Sequence, residues 1–401
     1  MRPVAYLLAG MMALWTLPST ESASGPAGGE GQPLALIHGL LIDGTGARPI
    51  EDAAVVIRGG RIAAAGPGSE IEIPGGAEIL DVEARAILPG FVNAHVHHGY
   101  DAANLRAWAQ AGVTTVRDLG TQSRWTSSSG ASVFADRDRL NRDSRNARLV
   151  AAGPMVTAPG GYGVYAVTSP EDAREKVHRL IDAGAEVIKI AIEDDLEGRR
   201  WRLLSREQIA AIVEVAHARG IRVAAHVSRS RHLQMAIDGG VDDVDHMAVD
   251  PVPAELLNRM VELGIAWVPT LELWSRVSRR YGLGWDAVAA RNLRRFVAAG
   301  GMVALGTDFA GFAARFDLGM PITEIRLMRD AGMTAMQIVE AATRNAAIVC
   351  GLADELGTIE AGKVADLIVV DGNPLARLDL LESVTVVVHG GVVIRDDGRV
   401  K

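Results

Sequence analysis

The stretch Ile87-Leu88-Pro89-Gly90-Phe91-Val92-Asn93-Ala94-His95-Val96-His97 constrains this chain more than any other. An apolar run opened by Pro-Gly ends in two histidines spaced i, i+2. Successive side chains of a β-strand point to opposite faces, so residues i and i+2 share a face. His95 and His97 therefore present two imidazoles together at the C-terminal end of one strand, a two-toothed grip for a metal ion. An isolated His-x-His pair also suits a packed or solvated position. Its meaning depends on what the other strands bring to the same place.

Seven further strand-like runs follow: Val113–Asp118, Arg148–Ala152, Glu186–Ile190, Arg222–His226, Asp243–His246, Ala266–Thr270 and Met302–Asp308. Helical patterns separate them, most clearly Pro170–Ala183, Ser205–Arg219, Leu233–Asp238 and Ala254–Leu263. Ser169 before Pro170 is a start signal, and Gly184, Gly220 and Gly264 are stops. Eight alternating β/α units predict a TIM (β/α)8 barrel over residues 89–354. The flanking segments, residues 34–88 and 355–401, instead carry short alternating strands and turns. They predict one small β-sandwich domain assembled from both chain ends.

The amino terminus reads as a signal peptide over residues 1–24: Arg2, an uncharged apolar run from Val4 to Leu17, then small residues at Thr20, Ser22, Ala23 and Ser24. This predicts a periplasmic or secreted protein with no membrane anchor after cleavage. The net charge of −8, with no basic cluster, argues against nucleic acid and anionic membranes as partners. One cysteine, Cys350, excludes an intramolecular disulfide framework and a thiolate zinc cluster, and it reads as a buried core thiol. Any metal site must be built from histidines, carboxylates or something less usual.

Such residues close the predicted strands: His95 and His97 the first, Lys189 the fourth, His226 the fifth, His246 the sixth, Asp308 the eighth. Each alone has a bland reading, as a core histidine, a snorkelling lysine or a turn aspartate. In a barrel, however, the C-terminal strand ends converge on one site.

Together with Val187-Ile188-Lys189-Ile190, Ala225-His226, Asp245-His246, Gly306-Thr307-Asp308 and the return segment Gly357–Leu367, the opening stretch resembles the amidohydrolase superfamily. The likeness is closer to its imidazolonepropionase-like and Xaa-Pro dipeptidase-like members. The resemblance implies two divalent metal ions, with zinc the expected element. His95, His97 and Asp308 would hold one and His226 and His246 the other, while Lys189, carboxylated by carbon dioxide, would bridge both. An ammonium cannot ligate a cation, whereas a carbamate has the charge and bite for metals about 3.5–4 Å apart. Imidazolonepropionase itself resembles a single-metal enzyme without this lysine, so Lys189 points to the peptidase-like branch. The implied reaction is cleavage of a C–N amide bond in a small molecule, a dipeptide or N-acyl amino acid, by a metal-bridging hydroxide. Asp308 would be the proton shuttle. A cyclic amide, lactone or carbamate could use the same site. A ligand-binding barrel with a structural metal is the reading of another class.

The chain departs from the family pattern at two places. Pro159-Gly160-Gly161-Tyr162 puts a tyrosine where many relatives carry a histidine near the reacting carbonyl. Tyr162 can donate a similar hydrogen bond, or could be a packed loop tyrosine. Dipeptidase-like relatives often place a tyrosine two residues after the strand-five histidine, to hold the substrate carboxylate, where this chain has Ser228. Arg229 or Arg231 could take that carboxylate bidentately, or could be ordinary helix-start arginines. His98 and Tyr100 read as structural. Relatives are often oligomeric, and no residue pattern here decides self-association.

Overall fold

The computed structural model describes residues 32–120, 131–196, 198–311 and 315–398. The expected signal peptide lies outside the described residues. The fold is mixed α/β, and apart from a short two-stranded hairpin (195–200) its strands fall into three sheets.

Strands from both termini join in one hydrogen-bonded eight-stranded sheet. Where two facing layers are expected, the pairing runs continuously. The C-terminal strand Leu367–Val370 lies antiparallel to Ala86–Pro89, which lies parallel to Leu34–Leu41. Alternation divides the burial. Ile87, Leu367 and Val369 enter a core private to the sheet, whereas Ala86, Leu88, Ile368 and Val370 pack into the core of the α/β body. The edge strand Arg61–Pro67 is bridged back to Val364, so the sheet bends around its private core.

The body holds two parallel sheets. Phe91–Val96 (β1), Val113–Asp118 (β2) and Arg148–Ala151 (β3) form the first. Val187–Ala191 (β4), Arg222–His226 (β5), Asp243–Asp245 (β6) and Ala266–Val268 (β7) run in sequence order through the second. The eighth predicted run is not a regular strand. It bridges β7 through Val303 and β1 through Phe309, and Ala94 N donates to Leu305 O at 2.8 Å. A side chain at Gly306 would sit 2.4 Å from Val268 Cγ1 and 2.9 Å from His95 Cβ, so glycine allows this segment to lie against β1.

The helices follow their caps. Ser169 accepts from Asp172 N before Pro170–Asp182, Ser205 and Gln208 form a capping box before Arg206–Ala218, and Gly264 takes the left-handed conformation that ends Ala254–Leu263. The fifth helix starts earlier than its apolar pattern, at Ser230, and runs to Gly239. Cys350 is buried, as expected.

Candidate metal centre

All six predicted ligand-type residues, His95, His97, Lys189, His226, His246 and Asp308, line one cavity of about 800 Å³, together with Tyr162. The histidine rings are neighbours: His95 to His246 is 4.9 Å between centroids, His226 to His246 is 4.7 Å, and Tyr162 stacks on His226 at 4.6 Å. Asp308 Oδ1 lies 3.3 Å from His95 Nε2 and 2.9 Å from His97 Nε2. His95, His246 and Asp308 each offer a ligand atom within 4.8 Å of the others.

Each imidazole sets one nitrogen beside a group outside the six ligand-type residues, which leaves the other for the cavity. His95 Nδ1 lies 3.0 Å from Asp245 Oδ1. His97 Nδ1 donates to Gly120 O at 3.1 Å, and His246 Nδ1 meets Thr270 Oγ1 at 2.9 Å. His226 is reversed, because its Nε2 faces Glu193 Oε2 at 3.4 Å. The nitrogens left for a metal are Nε2 of His95, His97 and His246, and Nδ1 of His226.

The backbone is strained where these side chains are presented. His246, Thr270 and Asp308 have φ of +69°, +47° and +61°, in the left-handed region that non-glycine residues rarely enter. Each such residue costs about 1–3 kcal/mol and persists only where the surroundings impose it. Gly311 leaves room for Asp308, whose carboxylate would lie 2.2 Å from any Cβ there.

Charge is concentrated below the cavity. Asp245 is fully buried and pairs with Lys189 Nζ as well as facing His95. Arg117, also fully buried, grips Asp243 at 2.6 and 3.1 Å and the carbonyls of Ala94 and Val349 at 2.7 and 2.8 Å. Burial lowers the Lys189 amine despite Asp245, and lowers His246 well below the usual imidazole range. Burial would raise Asp308, but His95 and His97 overcome it and hold the carboxyl well below its usual range. Burial opposes protonation of His97 too, yet the Asp308 hydrogen bond and charge lift it to about 9.

The donor set fits divalent metal. Four imidazoles, one carboxylate and one lysine with a depressed pKa converge on the cavity. Imidazole and carboxylate suit zinc, and they also accept manganese, cobalt or iron.

Arg229 and Arg231 do not line this cavity. Arg229 takes the N-cap position of the fifth helix and stacks over Trp285 at 5.8 Å, while Arg231 pairs with Asp194. His98 and Tyr100 do line it. Four residues went unread in the sequence: Arg117, Asp243, Asp245 and Glu193. Their signals were present as a charged residue inside an apolar strand, the Asp-x-Asp spacing ahead of His246, and an acidic residue just past the fourth strand.

Residues 86–394 match the amidohydrolase family. The chain belongs to it. Among curated proteins, the imidazolonepropionase of Deinococcus radiodurans is 26% identical, with 80% of this chain and 86% of that protein aligned. The imidazolonepropionase of Symbiobacterium thermophilum is 25% identical with both chains covered completely. Among solved structures, a Xaa-Pro dipeptidase with bound methionine in the active site superposes with a TM-score of 0.79 at 25% identity, covering 90% of this chain and 99% of that one. This amidohydrolase is a metal-dependent hydrolase of carbon–nitrogen amide bonds.

Proposed function

We propose that this amidohydrolase is a secreted binuclear enzyme that cleaves the amide bond of a dipeptide or N-acyl amino acid. Residues 89–354 form its TIM barrel, and residues 34–88 with 355–401 form its β-sandwich. Support for the barrel comes from the segment 302–309, which bonds to β7 on one side and β1 on the other. Support for secretion comes from the pattern of residues 1–24, and sequencing the mature amino terminus tests it.

The observation that carries the reading is the convergence of His95, His97, Lys189, His226, His246 and Asp308 on one cavity. His95, His97 and Asp308 would hold one ion, and His226 and His246 the other. Lys189, were its neutral amine to add to carbon dioxide and lose a proton, would offer a carbamate as a further anionic ligand. Burial helps, because the neutral amine is the nucleophile. When bound, the ions supply Lewis acidity that acidifies water and polarises a carbonyl. Asp308, held ionised by His95 and His97, accepts the proton of the attacking water and returns it to the departing amine nitrogen. The Tyr162 hydroxyl donates to the substrate carbonyl oxygen. Thr270, Asp245, Gly120 and Glu193 fix the four rings in the orientation this needs.

The test is hydrolysis of a panel of dipeptides, N-acyl amino acids, lactones and cyclic amides by zinc-loaded protein against a chelator-stripped control, with metal counted by mass spectrometry. Two ions per chain and metal-dependent cleavage of linear amides are expected. One ion per chain would overturn the binuclear assignment. A second reading, cleavage of a cyclic amide, is favoured by the full-length match to an imidazolonepropionase. Turnover of cyclic amides alone would select it.

A further inference from the structure

The metal cavity is poor in permanent cations. Among the described residues that line it there is no arginine, and its only lysine is paired with Asp245. A substrate carboxylate next to the scissile bond meets no guanidinium there.

A second cavity, of about 500 Å³, is lined by sequence neighbours of residues that line the metal cavity. Leu196 lines the metal cavity and Asp195, its neighbour on the hairpin, lines the outer one. On the helix Leu271–Tyr281, Leu273 and Trp274 line the metal cavity, while Val277 and Tyr281, further along the same face, line the outer one. Trp274 also meets Trp285 of the outer cavity edge-on, at 5.7 Å.

The outer cavity contains Arg229, half-buried, stacked on Trp285 and with no carboxylate partner among the described residues. This contrasts with Arg231, two residues on, which is neutralised by Asp194. Arg199 lines the cavity as well, so among the described residues two guanidiniums line it beside the carboxylate of Asp195. Tyr281 and Trp285 supply aromatic surface, and Tyr281 is 54% exposed, unusual for so large a ring. A guanidinium beside an indole can take a carboxylate through its planar fork, next to apolar surface for the group that carries it.

We infer that the outer cavity is a distal subsite that binds a carboxylate borne on an aromatic or extended apolar group. The substrates it selects are amides whose acidic group lies remote from the scissile bond, rather than the shortest dipeptides. This rests on the hydrolase reading above for its role in turnover, but the binding itself does not need turnover.

The probes are therefore 4-phenylbutyrate and its uncharged amide, titrated into the full-length metal-loaded protein and followed by tryptophan fluorescence and calorimetry. A carboxylate gripped by one guanidinium should bind about tenfold to a hundredfold more tightly than the amide. Arg229→Gln should abolish that preference, and Arg231→Gln, at the neutralised neighbour, should keep it. Equal binding of the two probes, binding of neither, or a preference that survives Arg229→Gln would each overturn the assignment. Failure of the hydrolysis panel with an intact carboxylate preference would instead count against the proposed reaction alone.

Discussion

Replacing Arg117 with methionine should expose how much the floor of the site depends on one ion pair. The guanidinium is fully buried and makes four short contacts, two to Asp243 and one each to the carbonyls of Ala94 and Val349. Methionine fills similar space and makes none of them. Asp243 is then a buried carboxylate without a counter-ion, and breaking a buried pair from one side costs about 3–5 kcal/mol. Each orphaned carbonyl costs about 1–3 kcal/mol, although losses that share one site do not simply add. Against the ordinary domain stability of about 5–15 kcal/mol, Arg117→Met loses a large fraction. Removing the stranded charge should restore much of it, so Arg117→Met/Asp243→Asn is expected to be more stable than the single variant. The assay is urea unfolding followed by tryptophan fluorescence in chelator, which keeps metal affinity out of the comparison. A single variant within about 1 kcal/mol of wild type, or a double variant no better than the single, would refute the reasoning.

Asp308→Asn should keep most of its metal, because the histidines remain, yet lose nearly all turnover, and metal analysis with initial rates separates the two. Tyr162→Phe keeps the stack on His226 and should lower kcat/KM by about tenfold to a hundredfold, the worth of one hydrogen bond to developing charge; unchanged kinetics would remove Tyr162 from the reaction. Burial pushes the Glu324 carboxyl up to about 8, against the pull of the Leu271 and Glu272 amides it caps. The folded state then holds a proton that the unfolded state releases above about 4.3. Stability should therefore fall as pH rises from there to about 8, by at most about 5 kcal/mol at about 1.4 kcal/mol per unit, and Glu324→Gln should flatten that slope in urea midpoints measured across pH.

Most of the centre was legible before folding because strand geometry repeats every two residues and parallel strands end at one face. His95 and His97 share a face by spacing alone, and His226, His246 and Asp308 close their runs as the alternation of β and α units requires. The same local logic placed Ser169, Ser205 and Gly264 as helix boundaries, since a cap is satisfied by residues three or four positions away. It erred slightly at the fifth helix, where Ser230–Gly239 begins before its apolar stripe does.

Other features depended on partners far away in the chain. Arg117 looks anomalous in an apolar strand until β6 brings Asp243 to it, 126 residues later. Arg229 and Arg231 are indistinguishable by type and spacing. Packing sends one onto Trp285 and the other onto Asp194, and among the described residues only the second has a carboxylate partner. The tautomers of the four histidines were equally hidden, because each is set by a group on a different segment. Which side chains reach the mouth of the fold follows from a two-residue period and short-range capping, both local to the chain. Tertiary structure alone decided which nitrogen each imidazole offers and which cations stay unpaired, because a buried charge takes its character from whatever the fold sets beside it.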